Sequence, residues 1–68
     1  MKEQIIAVLA KHPNGLRLRS IGAELHVWHA SLVKDIAELE REGRITARTY
    51  RDMANMEMYD IWRLASPL

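Results

Sequence analysis

Cysteine is absent from this sequence of 68 residues, and its absence excludes two ways of stabilising a small domain. Neither a disulfide framework nor a cysteine-ligated zinc site can hold the chain together. A domain of this size buries only roughly 60% of the surface that its unfolded chain exposes, so the core has to be economical. We therefore predict one cytoplasmic domain, residues 1–68, that is held by packing alone.

Long apolar runs are also missing, and none approaches the about 20 residues that a membrane-spanning helix needs. Glu3, Gln4 and Lys11 interrupt the apolar N-terminal stretch, and no small-residue cleavage site follows it. We expect neither a signal peptide nor a membrane partner. A glycine-rich phosphate loop and a recognisable nucleophile–base spacing are absent as well, so we predict a protein without enzymatic activity and without a cofactor.

Net charge is low, because ten Lys and Arg residues oppose nine Asp and Glu residues and leave +1. A protein that coats DNA without sequence preference is usually far more basic. The charges are unevenly distributed, with acidic residues clustered at 38–42 and basic residues clustered at 17–19 and 44–51. The basic clusters flank a segment, residues 28–42, whose apolar spacing is helical.

Three helices are predicted from the apolar spacing. Residues 2–12 carry an apolar stripe at helical spacing, and the turn signal "HPNG" follows them. A second helix is expected to begin at Ser20, with Ser20 or Arg19 as its cap. The third, from about residue 28 to 42, follows a tight turn and should end at Gly43.

Strand-like alternation appears in three places. "LRL", residues 16–18, predicts a short strand, and "RITARTY" predicts a longer one with Ile45 directed inward. Turn chemistry over residues 52–55 separates it from a return strand, "MEMYDIWRL", and residues 65–68 are expected to be a loose tail. Tyr59 and Ile61 fall on the face opposite Trp62; either that face is partly covered too, or it is an adhesive surface.

The order helix, short strand, helix, helix, strand, turn, strand resembles the winged helix-turn-helix. The similar segments are "IGAEL", "VWHASLVKDIAELEREGRI" and "IWRL". The resemblance implies an α+β fold of three helices with a small antiparallel sheet, the wing. Size and the first helix are similar to small bacterial transcriptional regulators of the pilus-operon type. The expected core is Ile5, Leu9, Leu16, Leu18, Ile21, Leu25, Val27, Leu32, Ile36, Leu39, Ile45, Trp62 and Leu64.

Two residues depart from the usual pattern of such domains. His26 stands where the turn usually carries glycine, so we expect a non-glycine residue in a left-handed conformation. Trp28 stands where the next helix usually has a Ser or Thr cap. Both departures lie at the end of the helix that would read DNA.

DNA binding is the function that the resemblance implies. In the winged helix-turn-helix, the recognition helix enters the major groove with its N-terminal residues toward base edges. In this sequence the corresponding residues are His29, Ala30, Ser31, Val33 and Lys34. The wing residues Arg48 and Arg51, together with Arg17 and Arg19, would contact phosphates. We therefore predict a sequence-specific transcriptional regulator whose partner is double-stranded DNA.

The alternative is a winged-helix module for protein interaction or dimerisation. Trp28, Ala30, Val33 and Ala37 share the outward side of the third helix, and Met53, Met56, Met58 and Tyr59 add an adaptable apolar set near the wing. A second copy or a regulatory protein would then be the partner. Equally, Trp28 could pack on the first helix or wing, and the methionines could complete a thin core. The three histidines have no ligand spacing that predicts a metal site.

Overall fold

The computed structural model describes residues 1–65, which form an α+β arrangement of three α-helices, a 3₁₀ turn and a two-stranded antiparallel sheet. In chain order these are α1 (Lys2–Ala10), α2 (Leu18–Leu25), the 3₁₀ turn (His29–Leu32), α3 (Val33–Arg41), β1 (Ile45–Asp52) and β2 (Glu57–Leu64). No helix within residues 1–65 is long and apolar enough to cross a membrane. The predicted loose tail lies outside the described residues, apart from Ala65.

The core is built from the apolar stripes of all three helices and the first residue of β1. Its buried side chains are Ile5, Val8, Leu9, Ile21, Leu32, Ile36, Leu39 and Ile45. A partly buried layer packs against them, formed by Ile6, Leu16, Leu18, Leu25, Val27, Trp62 and Leu64. Every residue predicted for the core therefore lies in it or against it, and α1 adds Val8 and Ile6.

Two predicted helix boundaries are wrong. The first helix ends at Ala10 rather than residue 12, because the amides of Lys11 and His12 donate to carbonyls three residues back and tighten the last turn. The second begins at Leu18 rather than Ser20, with extended Arg17 at its N-cap and no side-chain cap. Packing of Leu18 against the core outweighs the N-cap preference of Ser20.

The short strand predicted for residues 16–18 is reduced to one bridge. Leu16 donates its N–H to the Trp62 carbonyl at 2.8 Å and accepts the Trp62 N–H at 2.7 Å. Leu18 belongs to α2 instead. The bridge nevertheless fixes the start of α2 beside the edge of β2.

The helix predicted to run without interruption over residues 28–42 starts as a 3₁₀ turn. The Ser31 amide donates to the Trp28 carbonyl at 3.0 Å, and α-helical geometry begins only at Val33. Gly43, at φ +76°, follows the helix as predicted. The N-terminal end of this segment is therefore narrower and differently oriented than an unbroken α-helix would make it.

The hairpin places alternate residues on two faces. The first, here called the core face, carries Ile45, Ala47, Thr49 and Arg51 opposite Leu64, Trp62, Asp60 and Met58. The second, here called the outer face, carries Thr46, Arg48 and Tyr50 opposite Arg63, Ile61 and Tyr59. Tyr59 and Ile61 are half-buried, and a Cβ at Gly15 would stand 2.5 Å from Cγ2 of Ile61. The sheet is thus partly covered on both sides.

Candidate nucleic-acid interface

The turn after α2 orients the segment that follows it. His26 has φ 58° and ψ 38°, which confirms the predicted left-handed conformation. Its amide donates to the Ala23 carbonyl at 3.2 Å, while the Val27 amide donates to the Gly22 carbonyl at 2.9 Å. These paired bonds form a Schellman motif with histidine at the position that glycine usually takes. The chain reverses so tightly that a Cβ at Gly22 would lie 2.8 Å from the Val27 carbonyl oxygen.

Trp28 caps the 3₁₀ turn through its backbone, with an extended conformation and no side-chain hydrogen bond. Its carbonyl oxygen also accepts the Ser31 hydroxyl at 2.7 Å. The proton of Ser31 is therefore used within the turn, and only its oxygen lone pairs remain for a ligand. His29 and Ala30 are half-buried, whereas Val33 and Lys34 are exposed at the start of α3.

A cleft of about 440 Å³ lies between the start of α2, the exposed side of α3 and β2. It brings together four of the predicted site residues, Arg17, Arg19, His29 and Val33. Its apolar lining is Leu18, Val33, Ile36, Ala37 and Trp62, and Glu40 and Asp60 are its acidic members. The cleft therefore joins the beginning of α2 to the segment predicted to read DNA.

Arg17 makes the best-defined cationic contact of the site. Its guanidinium carbon lies 3.8 Å from the centre of the Tyr59 ring, and Tyr59 stacks on Tyr50 with ring centres 5.8 Å apart. A guanidinium held over an aromatic face keeps its N–H edge available for an anion. The two tyrosines were not predicted as site residues. Their cross-strand pairing on the outer face was the signal that could have identified them.

The hairpin arginines do not act as one group. Arg48 lies on the outer face with Tyr50, whereas Arg51 lies on the core face opposite Met58. Their odd separation along a strand imposes this, because successive side chains point to opposite faces. The prediction that both line one phosphate-binding wing needs correction. Arg63, which was not predicted, shares the outer face with Arg48.

Ion pairs concentrate on the other side of the helices. Lys2 of α1 reaches Glu38 of α3 at 3.0 Å and Glu42 just beyond it at 2.9 Å, and Arg44 reaches Glu3 at 3.7 Å. Within residues 1–65, eight cations have no carboxylate within 4.0 Å, namely Lys11, Arg17, Arg19, Lys34, Arg41, Arg48, Arg51 and Arg63. The neutralised side, where Lys2 and Arg44 pair with carboxylates, thus differs from the cleft and the hairpin, whose arginines are unpaired.

Hydrogen bonds dominate the electrostatics of the neutralised side. Bonds to Glu42 and Glu38 raise the pKa of Lys2 above its ordinary 10.5, and the bond from Lys2 lowers the pKa of Glu38 below its ordinary 4.5. These contacts tie α3 to α1, whereas Glu40 lies on the cleft side of α3.

The histidines remain separate from one another. His12 lies 4.0 Å from Glu24, and His29 meets Trp28 edge to face with ring centres 6.2 Å apart. No group of three His, Cys, Asp or Glu side chains among the described residues could hold a metal ion.

Apolar exposure marks two further places. Trp28 is 73% exposed, and Met53, Met56 and Met58 at the hairpin tip are 64–72% exposed. The readings in which Trp28 packs on a neighbouring element and the methionines complete the core are therefore wrong. The outward positions predicted for Val33 and Ala37 are confirmed.

Comparisons with known proteins identify no relative: no family model, curated protein or solved structure matches the chain.

Proposed function

We propose that the chain is a winged helix-turn-helix domain that binds double-stranded DNA, as a small cytoplasmic transcriptional regulator of the bacterial type. The supporting observation is the separation of charge. Arginines at the cleft and on the outer face have no carboxylate within 4.0 Å among residues 1–65, whereas Glu38 and Glu42 are bound by Lys2. A chain with a net charge of only +1 can attract phosphate when its cations are left unpaired on one side.

The exposed start of α3 would make the contacts with the bases. Lys34 has its ammonium in solvent and can donate to a guanine edge or a phosphate, while Val33 and Ala30 can meet thymine methyl groups. Ser31 is limited to accepting, because it donates to Trp28. His29 lines the cleft, and its imidazole can donate a ring N–H to a base or a phosphate. With so few polar groups for base contacts, we expect weak binding by one copy.

Phosphate contacts fall to the arginines beside this segment. Arg17 and Arg19 lie at the start of α2, where the first-turn amides add a positive partial charge. Arg48 shares the outer face with Tyr59, over which Arg17 sits. Arg51, on the other face, has a smaller role in this arrangement.

Binding of a fluorescent mixed-sequence duplex at several salt concentrations tests the proposal. The dissociation constant should rise steeply with salt, and Arg17→Ala should flatten the logarithmic slope by about one. Lys11→Ala is the matched control, since Lys11 lies at the end of α1 and outside the cleft. No binding at low salt, or an equal loss in both variants, would contradict the proposal.

A protein-interaction role is the second candidate, favoured by the exposure of Trp28 and the tip methionines. Exposed tryptophan and methionine side chains are common anchors of adaptable interfaces. Trp28→Ala separates the candidates, because a DNA interface centred on the arginines should keep most of its salt-sensitive affinity in that variant.

A further inference from the structure

The hydrogen-bond pattern of the hairpin shows which backbone groups of β1 point away from β2. Ala65 donates its N–H to the Arg44 carbonyl at 3.0 Å, which continues the ladder beyond Ile45 and Leu64. In an antiparallel pair, alternate residues direct both backbone groups toward the partner. The backbone N–H and C=O groups of Thr46, Arg48 and Tyr50 therefore bond to β2. The backbone groups of the residues between them point away from β2.

The outward groups belong to Ile45, Ala47, Thr49 and Arg51. The same alternation makes Trp62 face away from β1, and there it bonds to Leu16 on the opposite edge of the hairpin. No backbone hydrogen bond from elsewhere in residues 1–65 reaches the outward groups of β1. The side chains of residues 48–51 are exposed as well, so no neighbouring element covers this part of the edge, whereas Ile45 at its beginning is buried.

An edge of this kind is a template for another strand. β1 runs over Ile45–Asp52 without proline, and its outward backbone groups remain available for pairing. Many edge strands are protected by charge, and here Arg48 and Arg51 are the only cations on β1. Whether they prevent pairing depends on what would lie opposite them.

We propose that the outer edge of β1 pairs with β1 of a second copy, antiparallel about a two-fold axis at Thr49, to form a four-stranded sheet. In that register Arg48 lies opposite Tyr50 of the second copy and diagonal to both its Asp52 and its Arg48. Arg51 lies opposite Ala47 of the second copy. The residue directly opposite each arginine is thus aromatic or small, and the Arg48–Tyr50 contact occurs twice.

The neighbouring two-fold registers fit less well. An axis at Arg48 would set the two Arg48 side chains directly opposite each other, which is destabilising. With an axis at Tyr50, only Thr49 and Arg51 of the β1 residues would form backbone hydrogen bonds with β1 of the second copy. The axis at Thr49 uses Ala47, Thr49 and Arg51 together. This self-complementarity makes a second copy, rather than an unrelated strand, the occupant of the edge.

The inference does not rest on the proposed DNA binding. The cleft lies on the β2 side of the hairpin, and the second copy would join on the β1 side. Pairing would leave both clefts accessible. A dimeric protein that ignores DNA, and a DNA-binding protein that stays monomeric, are therefore distinguishable outcomes.

Thr49→Pro is the decisive variant, because the backbone N–H that it removes points outward and proline is tolerated on edge strands. Thr49→Ala is its control, since both changes lose the Thr49 hydroxyl bond to Asp60 at 2.7 Å, and Thr49→Ala keeps the backbone N–H. Sedimentation equilibrium from about 20 µM to about 1 mM should show dimer for the wild type and for Thr49→Ala. Thr49→Pro should weaken the dimer at least about tenfold.

Amide hydrogen exchange supplies a test that no folding defect can mimic. Exchange at Ala47, Thr49 and Arg51 of the unmodified protein should slow as concentration rises, while Thr46, Arg48 and Tyr50 are protected throughout. A protein that stays monomeric to about 1 mM would overturn the proposal. A dimer whose outward amides exchange freely would overturn it too, and would direct attention to Trp28.

Discussion

The two sides of α3 are built on different principles. Toward α1, Glu38 and the following Glu42 are bound by Lys2, and the apolar stripe of α3 is buried through Ile36 and Leu39. Toward the cleft, Val33 is exposed and lines the same cavity as Arg17 and Arg19, which have no carboxylate partners among residues 1–65. One side is paired within the chain, and the other carries solvated cations that have no carboxylate partner among residues 1–65.

Stability and binding should therefore be separable along α3. Fully buried side chains contribute the free energy of folding, whereas exposed ion pairs contribute little. Unpaired cations cost a small domain little because solvent screens them. Changes on the packed side should therefore affect unfolding, and changes on the cleft side should affect ligand binding.

Substitutions on the two faces of α3 should differ most in how they change the free energy of unfolding. Leu39→Ala removes a side chain with no exposure and should lower the free energy of unfolding by about 2–5 kcal/mol. Val33→Ala, at an exposed position, should change it by less than about 0.5 kcal/mol. Urea unfolding followed by circular dichroism measures both, and similar losses would contradict the division.

Substitutions of two glycines should have the next largest effects on the free energy of unfolding. An alanine Cβ at Gly22 would meet the Val27 carbonyl oxygen at 2.8 Å, so Gly22→Ala should cost about 1–3 kcal/mol and displace the turn. Gly43 has open space around it but φ +76°, so Gly43→Ala should cost about 1 kcal/mol from backbone strain alone. Amide spectra distinguish them: only Gly22→Ala should shift residues 26–31.

Substitutions of the two hairpin arginines should have smaller effects, and these effects on duplex binding should differ. Arg48→Ala removes a cation from the outer face and should weaken duplex binding, lowering the salt slope by about one. Arg51→Ala removes the same charge from the core face and should leave the slope nearly unchanged. If Arg51 proves the more important, the face assigned to DNA is wrong.

The smallest effect is the pH dependence of the Lys2 contacts. Because the pKa of Glu38 is lowered on folding, the stabilisation is present above about pH 4.5 and is lost as pH falls below it. Because the pKa of Lys2 is raised, it is also lost as pH rises above 10.5. The melting temperatures of wild type and Lys2→Met should differ slightly near neutrality and converge at low pH. Lys11→Met should show no such convergence.

Much of the fold could be predicted because the apolar spacing is regular. Leu32, Ile36 and Leu39 identified the buried face of the third helix, and the alternation around Ile45 identified a strand. The start of α2 could not be predicted in this way. The N-cap preference favours a helix that begins near Ser20. The packing of Leu18 and the Leu16–Trp62 bridge, which are both long-range interactions, make α2 begin at Leu18 instead.

The arrangement of the candidate site was predicted only in part. Arg17, Arg19, His29 and Val33 meet at one cleft, whereas the other five predicted residues, Ala30, Ser31, Lys34, Arg48 and Arg51, do not line it. The Arg17–Tyr59 contact depends on strand register, which a single sequence does not supply. The exposure of Trp28 likewise depends on how the turn at His26 directs the chain, although the left-handed conformation itself was predictable.

Titration of isotope-labelled protein with a mixed-sequence duplex, at low and moderate salt, shows directly whether the cleft side binds DNA. We expect salt-sensitive amide shifts at Arg17, Arg19, Ser31, Lys34 and Arg48, with residues 2–10 of α1 unaffected. No shift at low salt would contradict DNA binding. Shifts spread evenly over both sides of α3 would contradict the division between a satisfied side and a binding side.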